Sequence, residues 1–577
     1  MTMKKLYTII LALALVSCVK EAANDIFEGK PFALVTAEDG AGLTLSADID
    51  DDLRTISFTM SESEDLSSVP VLFQLNPGYS LIEPSVNEQI MNLSAPVDIT
   101  VEGYGKRLVY ALDAVIKAPV RAASVIFKGE RIEASINTGR RTLTFPMGTI
   151  YSSEYPEILF AGLKPEIELE AGYTLTEMKD EWDIAGGDTF SVTDGEKILT
   201  YTVTSEIRTV QAKSHLNEFD IHRGVNLAYW MVVGDAERDW LGYIKPEIFP
   251  LWKELGFEHF RIPVKEDIIF NADGSFHDLA IGKLHEILDW CEANDFHAIL
   301  DLHELSPREG TTSYREQDLY DPAYPEFRAN FVRIWARLAE EFREYSPAIL
   351  AFELLNEHHD YTDDSSAWEK LQNEVLSAIR TVSPERVTLV PSMGWQDPKY
   401  IRHSKIKAGD PNVIISFHDY LPMLLTHYKL LAWKDYQGSI QYPGRVIPNK
   451  ADADAYPRFS SFYQTTYSAQ RIMSEMGAAA TDGANLGRMV HCGEFGCSKN
   501  VPESMRLEWF KDMIAAMDAN NIPWTLWESL GGGFGFVDED GKGGNRINVS
   551  LLGILTGKEL TVEEADAVLK KYGLRTY

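Results

Sequence analysis

The chain has 577 residues, too many for one ordinary domain, and its 45% hydrophobic and 11% aromatic content can fill large cores. Its 54 Lys and Arg stand against 87 Asp and Glu, which gives a formal net charge of -33. So acidic a chain disfavours nucleic acid and anionic membrane surfaces as partners and favours a neutral ligand, although acidity can also serve solubility alone.

The N-terminus indicates export. Lys4 and Lys5 precede an apolar run at 6–16 that is too short to span a bilayer as a mature helix. The run ends in Leu-Val-Ser-Cys at 15–18, which resembles a bacterial lipoprotein box. The resemblance implies removal of residues 1–17, lipidation of Cys18, and a lipid anchor in the bacterial outer membrane on its periplasmic or cell-surface face. An ordinary secretory signal is the alternative.

Residues 18–31 are expected to form a linker, and residues 32–210 have an all-β texture of short alternating runs with turns rich in Gly, Asp and Pro. This stretch contains an internal repeat. The run RTISFTM at 54–60 returns as RTLTFPM at 141–147, GYSL at 78–81 as GYTL at 172–175, and LVY at 108–110 as LTY at 199–201. The order of the matches predicts two tandem β-sandwiches at 32–118 and 123–210.

These two sandwiches resemble the immunoglobulin-like modules found before many exported glycan-degrading enzymes. Some such modules bind sugar and others act as spacers. Because Trp182 is the one tryptophan in this stretch, a spacer role is favoured over a sugar-binding face. A chain lacking residues 1–214 is then expected to fold and to keep its activity on small substrates.

After residue 218 strands alternate with amphipathic helices, which is typical of a (β/α) barrel. Eight strands are predicted at 223–227, 259–264, 298–303, 349–356, 387–390, 413–418, a run ending at Glu494, and 524–527. The predicted fold is therefore multidomain: two N-terminal all-β immunoglobulin-like sandwiches followed by an α/β TIM barrel, (β/α)8, at 217–577. Its largest insertion, at about 421–460, follows strand six.

Two carboxylate motifs end apolar runs, AFELLNE at 351–357 and RMVHCGEFG at 488–496. Barrel enzymes keep their chemistry at the carboxyl ends of strands, so Glu357 and Glu494 are expected to face one another. Such a pair is what a retaining glycosidase needs, one proton donor and one nucleophile. Further polar or aromatic candidates follow other strands: Arg261, His303, Asn356, His418, Tyr420 and Trp527.

Taken in order along the strands, these eight residues make the chain similar to glycoside hydrolase family 5, the cellulase family of retaining (β/α)8 enzymes. The resemblance implies that Glu357 is the acid/base and Glu494 the nucleophile, and that no cofactor or metal is needed. It further implies that Asn356 binds the sugar 2-hydroxyl, that Arg261 and Tyr420 hold Glu494 ionised, and that His303 and His418 position the sugar and the acid/base. Trp527 would form the floor beneath a pyranose ring.

The eight residues do not separate the substrates of the family. Trp230, Trp395 and Trp433 lie near strand ends and could form stacking subsites for a polymer, which favours an endo-β-1,4-glucanase. If the insertion after strand six closes one end of the cleft, an exo-acting β-glycosidase results. A β-mannanase or xyloglucanase is a further alternative, and a non-catalytic glycan-binding lipoprotein is the alternative from another class. The expected partners are a β-glycan and, through the lipid anchor only, a membrane; the protein is expected to be a monomer that binds no nucleic acid.

Overall fold

The computed structural model describes residues 27–576 except 40–41, 62–64, 178, 180–181, 196, 229, 233–245, 308–312, 360–365, 531 and 540–543. Cys18 and the predicted signal lie outside the described residues. Contacts divide the chain into two units, one of Met1–Gly148 with Phe160–Ile207 and the other of Thr149–Leu159 with Arg208–Tyr577. Within the described part of the chain, no helix combines the length and the apolar content needed to cross a bilayer.

The first β module contains a four-stranded and a five-stranded sheet. The smaller sheet has the order Thr44–Ser46, Phe32–Glu38, Val69–Leu75, Glu88–Met91, and the larger has the order Asp48–Asp50, Thr55–Ser61, Lys106–Lys117, Val97–Gly103, Tyr79–Glu83. Alternating side chains from both sheets, among them Val35, Phe58 and Tyr110, form one buried core. Two sheets that share one core form a sandwich.

The second β module repeats this arrangement. Its three-stranded sheet has the order Glu130–Glu133, Val120–Phe127, Glu166–Leu169, and its five-stranded sheet has the order Ser135–Asn137, Thr142–Tyr151, Ile198–Val210, Thr189–Thr193, Thr174–Glu177. Each pair of repeated sequence runs occupies the same place in its five-stranded sheet: second strand, third strand and fifth strand. The all-β prediction for this stretch is confirmed.

Eight parallel strands close into a barrel, which confirms the predicted (β/α)8 fold. They are β1 Arg223–Asn226, β2 His259–Lys265, β3 His297–Glu304, β4 Leu350–Glu353, β5 Val387–Pro391, β6 Val413–His418, β7 Val490–Phe495 and β8 Trp524–Leu526. Val225 pairs with Leu526 where β1 meets β8. The strands are apolar runs with nearly every residue buried, as strands covered on both faces require.

The longer helices of the barrel alternate with these strands. They are α1 Phe249–Leu255, α2 Asp278–Ala293, α3 Pro325–Glu341, α4 Ala367–Val382, α5 Ala469–Asn485, α6 Glu503–Ala519, α7 Val549–Thr556 and α8 Val562–Lys571. Helix α1 ends at Gly256, whose left-handed φ of 99° an L side chain would resist. Helix α8 begins with a capping box between Thr561 and Glu564.

The insertion after β6 contains a cluster of aromatic rings that is continuous with the barrel core. It contains the short helices Met423–Thr426 and Lys450–Ala455, the 3-10 turns Leu431–Trp433 and Pro457–Tyr463, and Gly444–Arg445 paired with Thr466–Tyr467. The ring of Trp433 is 5.7 Å from Phe459 and 5.5 Å from Phe462. Tyr442 donates to Asp512 of α6 at 2.6 Å. The insertion is therefore tied to the barrel, and Trp433 contributes to its packing.

Residues 149–159 belong to the same unit as the barrel, although they fall within the stretch predicted as the second sandwich. Tyr155, 1% exposed, is part of the barrel's hydrophobic core. The hydroxyl of Ser153 donates to the carbonyl of Pro384 at 2.6 Å, and that of Ser152 to Gly409 at 2.8 Å. This segment is therefore part of the packing of the barrel.

Candidate active site

The carboxyl ends of the barrel strands meet around one buried cation, Arg261 of β2. Its guanidinium contacts five polar side chains: Glu353 at 2.7 Å, Asn356 at 2.8 Å, Glu494 at 2.9 Å, and Asn226 and Asp301 at 3.0 Å. Burial opposes the charge of the guanidinium, but three facing carboxylates outweigh it and raise the pKa of Arg261 above its ordinary value. Arg261 is thus a fixed cation that orients several side chains at once.

Glu494 lies at the end of β7 with its side chain 6% exposed. One carboxylate oxygen accepts from Arg261 at 2.9 Å and the other accepts from the hydroxyl of Tyr420 at 2.9 Å. Burial and the charge of Glu494 raise the pKa of Tyr420 well above its ordinary value, so the phenol keeps its proton and donates. A carboxylate held by two donors is fixed in orientation, as a nucleophile needs to be.

Glu357 follows β4 with a left-handed φ of 44°, and its side chain is 41% exposed. Its Oε1 lies 3.1 Å from Nδ1 of His418, and its backbone N–H donates to Gln396 at 2.6 Å. Burial alone would raise the pKa of Glu357, but the hydrogen bond from His418 and nearby positive charges outweigh it and lower that pKa. Glu357 is thus the more accessible of the two glutamates and is positioned through both its side chain and its backbone.

The separation of the two glutamates determines what they can do together. A carboxylate oxygen of Glu357, one of Glu494 and a ring nitrogen of His418 lie within 4.8 Å of one another. Retaining glycosidases need carboxyl groups about 5–5.5 Å apart, whereas inverting enzymes leave about 6.5–9.5 Å for a water molecule. The geometry therefore suits retention. Among the described residues, this trio is also the one group whose atoms could converge on a metal ion.

The other predicted side chains lie around this pair. Nδ1 of His303 is 2.7 Å from Asp301, and the ring stacks on Trp527 with centroids 5.8 Å apart and planes 11° apart. Burial lowers the pKa of His303, but Asp301 more than compensates, so the pKa is raised. Asn356 accepts from Arg261, which fixes the side of its amide that can donate to a sugar. These contacts bring together the eight residues whose order carried the family resemblance.

The tryptophan predictions fare differently. Trp395, just after β5, is 55% exposed, and its ring lies 4.1 Å from that of His359, two residues beyond Glu357. Trp230 is 0% exposed and belongs to the barrel core. This corrects the prediction that Trp230 binds sugar, because the ring that a sugar would have to contact is buried in the barrel core.

His358 also belongs to the packing rather than to a metal or sugar site. It is fully buried, hydrogen-bonded to the hydroxyl of Tyr320, with its ring 4.1 Å from that of Trp368. Burial lowers its pKa to about 3, so the ring is neutral.

The sequence reasoning missed a group of buried polar side chains beneath the site. These are Asn226, Asp301, Glu353, Gln396 and Ser416, each 0% exposed. Asp301 and Glu353 had a usable signal, because an acidic residue inside an apolar strand must be paired with a partner. Gln396 had no such signal. It follows β5 in a turn where Gly394, Trp395 and Gln396 all have positive φ, at 66°, 63° and 58°. Sequence patterns do not predict such a conformation.

The barrel part of the chain is similar to known proteins. The profile of the family Cellulase (glycosyl hydrolase family 5) matches residues 218–532, more than half of the chain. Endoglucanase C of Acetivibrio thermocellus is 24% identical over 343 residues, which cover 57% of this chain and 97% of that protein. Cellodextrinase A of Ruminococcus flavefaciens is 24% identical over 295 residues, covering 50% of this chain and 80% of that protein.

Among solved structures, a mutant form of Thermotoga maritima Cel5A in complex with cellobiose is 20% identical, with a TM-score of 0.48 over 60% of this chain and 100% of that one. On the family profile, the chain belongs to glycosyl hydrolase family 5 and is a glycoside hydrolase.

Proposed function

We propose that this chain is an endo-acting β-1,4-glucanase that hydrolyses β-linked glucan with retention of configuration. The observation that carries the proposal is the spacing of Glu357 and Glu494, since one carboxylate oxygen of each lies within 4.8 Å of the other. The different contacts of the two glutamates support a division of roles, with Glu494 as the nucleophile and Glu357 as the acid/base. Glu494 is buried between two donors, and Glu357 is more exposed and contacts the imidazole of His418.

In the first step, a carboxylate oxygen of Glu494 attacks the anomeric carbon while Glu357 gives its proton to the leaving oxygen. The glycosidic C–O bond breaks, the leaving sugar departs as an alcohol, and an ester joins the remaining sugar to Glu494. Glu357 must be protonated for this step. A bound sugar excludes water from Glu357, and the anion of Glu494 opposes its ionisation, so both effects raise the pKa of Glu357 at the moment of reaction.

In the second step, Glu357 takes a proton from water, and the water oxygen attacks the anomeric carbon. The ester bond breaks and Glu494 regains its charge. Formation of the ester has removed the negative charge of Glu494, which lowers the pKa of Glu357 and prepares it to act as a base. Two inversions at the same carbon give net retention. Asn356, oriented by Arg261, would hydrogen-bond the sugar 2-hydroxyl as positive charge develops on the ring.

Action within a polymer is supported by Trp395. The backbone N–H of Trp395 donates to the carbonyl of His358 at 3.0 Å, which places this exposed ring beside the segment that carries the proton donor. The proton donor marks the side from which the leaving group departs, so the ring is suited to stack on a sugar of the leaving chain. Several relatives are named endoglucanases, including Endoglucanase B of Neocallimastix patriciarum.

Exo action is the second candidate, because other relatives are named Cellodextrinase A and Glucan 1,3-beta-glucosidase. Product analysis at early times on a soluble β-1,4-glucan distinguishes the two. A mixed ladder of oligosaccharides with rapidly falling viscosity is expected, whereas a single small product would contradict endo action. Parallel assays on mannan and xyloglucan test the choice of polymer. Sugar binding without release of reducing ends on every polymer would favour a non-catalytic glycan-binding protein.

We also propose that the protein is exported and anchored to the bacterial outer membrane through a lipid on Cys18, with the two β modules as immunoglobulin-like spacers between anchor and barrel. The sequence Leu-Val-Ser-Cys at 15–18 after a short apolar run supports the anchor. Cys18→Ala should release the protein from the membrane fraction and abolish labelling by a fatty-acid analogue. Cell fractionation that leaves the wild-type protein free in solution would contradict the anchor.

A further inference from the structure

The geometry points to Gln396 as a positioning residue for the acid/base, one that acts through Glu357 without touching the sugar. Gln396 is 0% exposed, so substrate cannot reach it. Its carbonyl oxygen accepts from the backbone N–H of Glu357 at 2.6 Å. This contact fixes the residue whose side chain must present a proton to the leaving oxygen.

The other end of the same amide extends towards the nucleophile. Nε2 of Gln396 donates to Glu353 at 3.0 Å and to the hydroxyl of Ser416 at 2.8 Å, and Ser416 in turn donates to Glu353 at 2.7 Å. Glu353 accepts from Arg261, which also donates to Glu494. A continuous chain of hydrogen bonds thus connects the backbone of the proton donor with the cation that orients the nucleophile.

The backbone around Gln396 supports a specific placement of this side chain. Gly394, Trp395 and Gln396 are left-handed in succession, and Glu357 itself has a φ of 44°. A side chain at position 394 would be strained, because its Cβ would lie 2.3 Å from the ring of Tyr400 and the φ of Gly394 is positive. Residues hold such unfavourable conformations only where the surrounding contacts determine them, and the buried contacts of Gln396 provide that here. The same turn carries Trp395. One segment therefore positions both the acid/base and the aromatic ring proposed to bind the leaving chain.

This inference rests on the proposed role of Glu357. If Gln396 positions the acid, substitution of Gln396 should lower kcat/KM most on substrates whose leaving group needs a proton. In Gln396→Ala, kcat/KM should fall about 100-fold on cellotetraose and less than about 5-fold on a dinitrophenyl β-cellobioside, whose leaving group needs little protonation. Gln372→Ala is the matched control, because Gln372 is a buried glutamine of α4 that donates to Lys405 away from the site. It should show neither loss. Equal losses of Gln396→Ala on the two substrates, or no loss on either, would overturn the proposal.

Glu357→Ala, assayed in parallel, distinguishes failure of the role proposed for Gln396 from failure of the acid/base assignment of Glu357. If Glu357→Ala discriminates between the substrates and Gln396→Ala does not, only the role of Gln396 is overturned. If Glu357→Ala does not discriminate, the assignment of the acid/base fails and the role of Gln396 fails with it.

Gln396→Glu provides a second test should the alanine variant not fold. The introduced carboxyl would lie beside Glu353, and the like charge raises its pKa. Protonated, it can accept from Glu357 and donate to Glu353 much as the amide does; ionised, it repels Glu353. The ratio of variant to wild-type kcat/KM on cellotetraose should therefore be highest at low pH and fall as pH rises. A ratio that does not change with pH would overturn the proposal.

Discussion

Nδ1 of His418 lies 3.1 Å from Oε1 of Glu357 and is buried, with the His418 side chain 2% exposed. The same nitrogen is 3.7 Å from the nearer oxygen of Glu494. The imidazole therefore lies closer to the acid/base than to the nucleophile. Because the contact with His418 and nearby positive charges lower the pKa of Glu357 against the effect of burial, this one imidazole has a large part in setting when the acid loses its proton.

His418→Ala should therefore change the pH profile as well as the rate. Loss of the hydrogen bond raises the pKa of Glu357, so the alkaline limb of kcat/KM, which reports deprotonation of the acid, should move to higher pH. The value at the optimum should fall about 10- to 100-fold because the acid is less well oriented. His285→Ala is the control, since His285 of α2 contacts Glu341 at the end of α3 and Tyr345 in the loop that follows. An unmoved or acid-shifted limb would contradict the role given to His418.

Glu494→Gln and Glu357→Gln should each lower kcat/KM on β-glucan by roughly 1,000-fold or more while leaving the fold intact. They should differ on a dinitrophenyl glycoside. The Glu357 variant should still form the ester on Glu494, detectable by mass spectrometry, and azide should rescue turnover with retained configuration. The Glu494 variant should form no ester. Glu369→Gln is the matched control: it removes the ion pair between Glu369 of α4 and Lys405, and the variant should remain active. Activity unchanged in both site variants would show that the site lies elsewhere.

Sequence reasoning predicted the eight strands and the catalytic pair because both depend on local signals. An apolar run that ends in a polar residue marks a strand end, and parallel strands bring such ends to one edge of the barrel, as with Asn356 and Glu494. The direction of a side chain near a strand end is not a local signal, which is why the sequence predicts Trp230 in the cleft whereas its ring lies in the core. Gln396 lies beyond β5, and its role depends on a turn of three left-handed residues that no periodicity reveals.

The buried ion pair between Glu353 and Arg261 should make the free energy of unfolding fall at acidic pH. Burial alone would raise the pKa of Glu353, but Arg261 outweighs it and holds that pKa below the ordinary value of 4.5. Stability from this pair is thus fully present above the unfolded value and is lost as pH falls through the lower folded value.

Glu353→Gln should lower the free energy of unfolding by about 3–5 kcal/mol at neutral pH, because it leaves part of the charge of Arg261 uncompensated. The difference from wild type should shrink as pH falls from about 5 towards 2, where wild type loses the same interaction. Urea unfolding at several pH values measures it. Glu344→Gln removes an exposed partner of Arg343 and should cost less than about 1 kcal/mol. A difference that grows on acidification would contradict this account.

The burial of Tyr155 predicts that residues 149–159 contribute to the stability of the barrel. The ring is 1% exposed, belongs to the barrel core and lies beneath the ammonium of Lys407 at 4.8 Å. Tyr155→Ala should lower the free energy of unfolding of the barrel by about 3–5 kcal/mol, the range for loss of a buried aromatic side chain. Every tryptophan except Trp182 lies after residue 218, so tryptophan fluorescence during urea unfolding reports mainly on the barrel.

Tyr155→Phe is the matched control. Within the described residues the hydroxyl of Tyr155 is buried without a hydrogen-bond partner, so its removal relieves a desolvated polar group and should be neutral or stabilising. The same packing bears on the expectation that a chain lacking residues 1–214 folds and stays active: such a chain also lacks Tyr155 and should unfold at lower urea concentration than the full chain. If the alanine and phenylalanine variants both unfold at the wild-type midpoint, burial of the Tyr155 ring adds nothing to the stability of the barrel.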